Sequence, residues 1–135
     1  MALATIDSQG RADVSPRGDP QGALIHPQDD HVWFADRPGN RRADSFRNIL
    51  VQPHIAAVML IPGCTRVAML SGTARFSTDA AMRADFAVSG KTPLLVTCIE
   101  QPMPVGFESR APARARLCPG LMKKGLQRDY RNNLY

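Results

Sequence analysis

The sequence is poor in the residues that mark the commoner kinds of site. It holds three cysteines, Cys64, Cys98 and Cys118. An odd number, widely spaced and without a C-x-x-C, argues against a disulfide framework or a zinc site and fits a reducing cytoplasm. Histidine is as scarce: His26, His31 and His54 are scattered, and no His/Cys cluster has ligand spacing, so no metal is expected. No G-x-S-x-G is present to make a nucleophile elbow. Gly90-Lys91-Thr92 has the ending of a P-loop, but Asp85 stands where its leading glycine is needed. Arg17-Gly18-Asp19 spells an adhesion tripeptide, which without a secretory signal reads as a chance match. No side chain stands out as an acid, base or nucleophile, so the catalytic residues are unassigned.

Long apolar runs are missing too. The longest, Ile55 to Ile61, falls far short of the roughly 20 residues of a membrane span. Met1 to Ile6 has neither a basic start nor a cleavage site and reads as a strand, not a signal peptide. What is present suits one soluble domain: 135 residues, 44% hydrophobic and 21% charged. The net charge of +5 is concentrated after Arg110, where Arg114, Arg116, Lys123, Lys124, Arg128 and Arg131 face a single acid, Asp129. Such a tail is most often a solvated end; contact with nucleic acid is the minor reading.

Short strands separated by turn signals dominate the first two thirds. Leu3–Ile6 and Ala12–Ser15 flank Asp7-Ser8-Gln9-Gly10 as a hairpin, and Pro16 to Gly22 reads as a loop or irregular strand edge. Val32–Ala35, Ile55–Ile61, Arg66–Thr78 and Pro93–Ile99 are further strand-like runs. Gly72, in the middle of the third of these, marks a bend or a close approach. Thr78-Asp79 is a suitable N-cap for a short helix beginning at Ala80. No βαβ rhythm appears, so the expected architecture is mostly β, an antiparallel barrel with one or two short helices.

The segment from Ala35 to Leu50 is the most informative. A strand ends, Pro38-Gly39 turns the chain, and a helix follows with Asn40 as its N-cap and Ala43, Phe46, Ile49 and Leu50 as its apolar stripe. On this reading Arg41 and Arg42 lie in the first helical turn, near Ser45. Cations there oppose the helix dipole. The arrangement makes sense if an anion binds, where free backbone N–H groups and guanidinium forks converge; neutralisation by Asp36 and Asp44 at the surface is the alternative.

The run Asp36-Arg37-Pro38-Gly39-Asn40-Arg41-Arg42-Ala43-Asp44-Ser45-Phe46-Arg47-Asn48-Ile49 resembles a signature of flavin-binding proteins of the pyridoxamine 5′-phosphate oxidase superfamily. Gly10-Arg11-Ala12-Asp13-Val14-Ser15-Pro16-Arg17-Gly18-Asp19-Pro20 resembles another, and their order matches as well. The resemblance covers roughly residues 2 to 100 and implies an FMN-binding split β-barrel that dimerises, with FMN between the subunits. It implies that Asn40, Arg41 and Arg42 hold the phosphate with Asp36 and Ser45 nearby, and that Ser15, Arg17 and Gly18 lie along the flavin. Arg114-Ala115-Arg116-Leu117 is similar to the arginine-containing end that touches the flavin, which adds Arg116. The barrel would occupy residues 1–109 and the basic segment 110–135.

By this resemblance the chain is an FMN-dependent oxidoreductase acting on an unidentified small molecule. The alternative is a non-catalytic binder of FMN, haem or a deazaflavin. A true pyridoxamine 5′-phosphate oxidase is not expected: Ala80 to Thr92 lacks the tyrosine of those enzymes, and Arg116-Leu117-Cys118-Pro119 lacks the histidine of their C-terminal arginine-histidine pair.

Overall fold

A computed structural model describes residues 1–20, 23–38, 43–60 and 65–115. Within them the chain forms one seven-stranded sheet in the order β2-β1-β5-β6-β7-β4-β3. Every pairing is antiparallel. The strands are β1 (Ala2–Ile6), β2 (Ala12–Pro16), β3 (Ile25–Gln28), β4 (His31–Ala35), β5 (His54–Leu60), β6 (Arg66–Ser77) and β7 (Val96–Glu108). The helices are α1 (Asp44–Val51), α2 (Ala80–Ala84) and a single turn, α3 (Ala111–Arg114). The expected split barrel is what forms: a mostly antiparallel sheet that curls without closing, its two edges being β2 and β3.

Local chemistry explains the first hairpin. Asp7 Oδ1 accepts hydrogen bonds from the backbone N–H groups of Gln9 and Arg11, and Gly10 takes the positive φ of 79° that closes the turn. Asp79 caps α2 by accepting from the Met82 N–H at 2.8 Å.

The two faces of the sheet carry separate cores. On the inner face Leu3, Phe34, Ile55, Leu70 and Ile99 pack together under Ile49 of α1. On the outer face Trp33, Val96 and Cys98 pack under Phe86, with Met82 of α2 against them. Trp33 is therefore core. β6 and β7 join these regions through a bulge. Ser71 pairs with Met103 and Thr73 with Glu100, so Gly72 alone faces Gln101 and Pro102. Gln101 has φ 46°, and a Cβ at Gly72 would lie 2.7 Å from both the Glu100 carbonyl oxygen and Ile99 Cγ2. The close approach expected at Gly72 is real.

Three features depart from the sequence reading. Ile25–Gln28, to which the sequence reading assigned no element, is a strand paired with β4. β7 does not stop at Ile99 but runs to Glu108, because β6 supplies a partner along its whole length. The helix begins at Asp44 with Ala43 at its cap and no side-chain cap, and Asn40, the expected N-cap, lies outside the described residues. Its buried residues are Ser45, Asn48 and Ile49, while Leu50 of the expected apolar stripe is 76% exposed. The face is set by a polar contact: Asn48 Nδ2 donates to Thr5 Oγ1 at 3.0 Å inside the protein.

Candidate cofactor site

The two motif segments meet where β2 and β4 end and α1 begins. Pro16 closes β2, and the ladder is extended by Arg17 N donating to the Met1 carbonyl and the Met1 ammonium donating to the Arg17 carbonyl, each at 2.8 Å. Asp36 follows β4 and is anchored by its N–H to the Leu95 carbonyl. Arg17 Nη1 then donates to Asp36 Oδ1 at 2.8 Å, with both side chains largely buried. Beside this pair Arg37 Nε donates to both carboxylate oxygens of Asp19 at 2.9 Å. The Arg17 guanidinium also lies 5.5 Å from the ring centroid of Phe46 on α1, and the Phe46 ring in turn meets that of Phe76 on β6 at a tilt of 59°, centroids 5.5 Å apart.

Among the described residues, two donors in this group have no partner. Arg17 Nε and Arg37 Nη2 are buried and make no hydrogen bond. An unmade hydrogen bond of a buried charged group is costly, so such donors mark a place where an acceptor fits. Asp36 adds a second sign of function. Burial pushes its carboxyl above the ordinary aspartate value despite the opposing pull of Arg17. A carboxylate whose burial outweighs its ion pair contributes little net stability. Groups with such perturbed titration cluster at binding sites.

Of the residues singled out in the sequence, Arg17, Asp36 and Ser45 fall in this region. Ser45 is buried in the first turn of α1. Ser15 pairs with Leu3 and so shares the sheet face that α1 covers. Gly18 is exposed, and a Cβ there would meet nothing within 4 Å, which leaves the space beside Arg17 open. Asn40, Arg41, Arg42 and Arg116 lie outside the described residues. Asp19 and Arg37 were not assigned from sequence. Each sits inside a motif, and the signal that would have found them is charge pairing between the motifs.

A family model described as pyridoxamine 5′-phosphate oxidase matches residues 1–107. The chain belongs to the pyridoxamine 5′-phosphate oxidase family. Solved structures with similar folds include HupZ of Group A Streptococcus, with TM-score 0.60 and 16% identity, covering 80% of this chain and 84% of that one. A single-residue variant of HupZ gives TM-score 0.59 at 15% identity, covering 78% of this chain and 87% of that one. A NimC/NimA family protein from Clostridium acetobutylicum gives TM-score 0.51 at 10% identity, covering 79% and 77%. At these identities the likeness is one of fold. A search of curated proteins found no match.

The residues present fit the phosphate-bearing flavin that this family implies. The two unpaired guanidinium donors supply charge-assisted contacts to an anion, and the open side of Gly18 leaves room for a group to approach. Arg17 and Arg37 are each paired with one carboxylate, Asp36 and Asp19.

Proposed function

We propose that this family member is an FMN-dependent oxidoreductase acting on a small molecule, and that it works as a homodimer in the cytoplasm. The observation that carries the reading is the junction of the two motifs, with buried, unpartnered Arg17 Nε and Arg37 Nη2 beside the Arg41-Arg42 pair in sequence. In this reading Asn40, Arg41 and Arg42 hold the FMN phosphate. Arg17, oriented by Asp36 and Phe46, donates to the cofactor's polar edge, while Ser15 and Gly18 lie along it and Arg116 closes over it. FMN, when bound, supplies the electron transfer, and the protein supplies orientation and electrostatics.

The dimer has its own support. On the outer face Val58 and Met69 are cross-strand partners, as are Met69 and Val105, and Val67 and Phe107. Met69, Val105 and Phe107 are each more than 40% exposed, and together with Leu60 they make a continuous apolar surface.

A non-catalytic binder of FMN, haem or a deazaflavin is the second reading. It is favoured by the absence of an unpaired acid or base among the described groups of the site: Asp19 and Asp36 are both held by arginines. A working pyridoxamine 5′-phosphate oxidase is not proposed. Pyridoxamine 5′-phosphate incubated in air with FMN-loaded protein should yield no catalytic amounts of pyridoxal 5′-phosphate, and repeated turnover would overturn that statement.

The phosphate assignment is tested by fluorescence titration with FMN and riboflavin. FMN should bind more tightly. Arg41→Ala with Arg42→Ala should weaken FMN by roughly 1.5–3 kcal/mol per lost charge-assisted bond, while leaving riboflavin unchanged. Equal FMN affinity in both proteins rejects the assignment.

A further inference from the structure

A second group of side chains lies on the outer face, away from the motif junction. In the pairing of β4 with β7, His31 stands opposite Glu100 and Trp33 opposite Cys98. Residues directly opposite share a face, so His31, Cys98 and Glu100 project the same way although far apart in sequence. An imidazole nitrogen, the Cys98 sulfur and a Glu100 carboxylate oxygen all lie within 4.8 Å of one another. Cys98 is fully buried at the base of the cluster, and His31 and Glu100 are half-buried above it.

From this juxtaposition we infer that His31, Cys98 and Glu100 form a binding site for a thiophilic divalent ion of the Zn²⁺ type. A tetrahedral zinc with bonds of about 2.0–2.3 Å holds its ligand atoms about 3.3–3.8 Å apart, so closure needs movements of roughly an ångström. The rotatable His31 and Glu100 side chains supply that without moving the strands. One nitrogen, one sulfur and one oxygen ligand suit zinc and leave a fourth position for water. A sulfur ligand selects against Mg²⁺ and Ca²⁺, which require oxygen cages.

The surroundings also fit. Arg75 pairs with Cys98 across β6 and β7 and donates from Nε to Glu100 Oε1. Its guanidinium is steadied 5.1 Å from the Trp33 ring centroid. One carboxylate oxygen is thus oriented by an outer partner while the other is left for an ion, a common second layer at metal sites. Binding forms a metal–sulfur bond, and the thiol proton leaves to solvent. Thiolate and carboxylate together match the ion's two charges, the half-exposed Arg75 cation being left to solvent, and the site does not depend on the flavin reading.

The experiment uses the full chain with Cys64→Ser and Cys118→Ser, so that Cys98 is the one remaining thiol. Co²⁺ is titrated as the spectroscopic probe. Equimolar Co²⁺ should produce a near-ultraviolet thiolate-to-cobalt charge-transfer band, which equimolar Zn²⁺ then bleaches. Loss of an outer-layer partner alone costs about 10–100-fold in metal affinity, so His31→Gln and Glu100→Gln should each weaken Co²⁺ at least about tenfold. Cys98→Ser should abolish the band with the circular dichroism unchanged. No band in the Cys98-only protein overturns the site. An undiminished Co²⁺ affinity in both His31→Gln and Glu100→Gln overturns it as well, and these two variants decide the matter even if Cys98→Ser does not fold.

Discussion

The two halves of β7 live in different environments. Val96, Thr97, Cys98 and Ile99 are all at most 1% exposed, with β4 and β6 on either side and a core on each face. Past the Gly72–Gln101 bulge the strand keeps β6 as its one neighbour among the described residues, and Met103, Val105 and Phe107 are 66%, 58% and 45% exposed. Both halves are apolar, so composition does not separate them. The bulge does: it shifts the alternation by one residue, so the outer face carries Cys98 and Glu100 before it and Met103, Val105 and Phe107 after it. The first half is finished within the chain, and the second is an apolar surface that a partner would finish.

The sharpest contrast should come from truncating one side chain in each half. Ile99→Ala leaves a cavity in the inner core and should cost about 2–5 kcal/mol, read from the urea midpoint. Val105→Ala at low protein concentration should stay within about 0.5 kcal/mol, as an exposed position does. A comparable loss at both sites would show that the second half is already buried in the monomer.

The bulge between the halves is the next place to press. Gly72→Ala puts a methyl group 2.7 Å from backbone and side chain on β7, and overpacking of this kind costs about 1–3 kcal/mol. An unchanged midpoint would mean that β6 and β7 separate easily there. Breaking the apolar half itself calls for charge. Val105→Glu with Phe107→Glu should leave the fold intact by circular dichroism and give a monomer by light scattering at micromolar concentration, where the proposed wild-type dimer should persist. A wild-type monomer would contradict the dimer proposal.

The sequence made the fold largely legible and the site only in part. Short β-compatible runs and turn signals placed β1, β2, β4 and β5, alternation placed β6, and the Asp79 cap placed α2, because each is a local signal. β3 was missed because its register is set by pairing with β4, and Pro27 within it speaks against a strand. The second half of β7 was missed for a similar reason, with Pro102, Pro104 and Gly106 outweighed by a partner strand. For α1, the apolar spacing pointed to Leu50, but the Asn48–Thr5 bond between distant residues fixed the buried face. The Arg17–Asp36 and Arg37–Asp19 pairs and the His31–Cys98–Glu100 group are likewise contacts between distant parts of the chain that no spacing reveals.

The smallest expected effect concerns Asp36. Its folded pKa is raised, with burial the larger cause, so the folded state holds this proton more tightly than the unfolded state. Stability from this group therefore falls as pH rises from the ordinary aspartate value through the raised one. Asp36→Asn should remove that slope from a plot of urea midpoint against pH. A slope of the opposite sign in the wild type that the substitution abolishes would show that Arg17 outweighs burial.

The flavin reading itself is tested most directly by the visible absorption spectrum of the purified protein, taken before and after FMN is added and unbound ligand is removed. The account predicts a flavin spectrum retained with the protein at close to one FMN per chain. A haem spectrum, or protein that stays colourless after incubation with FMN, would contradict it.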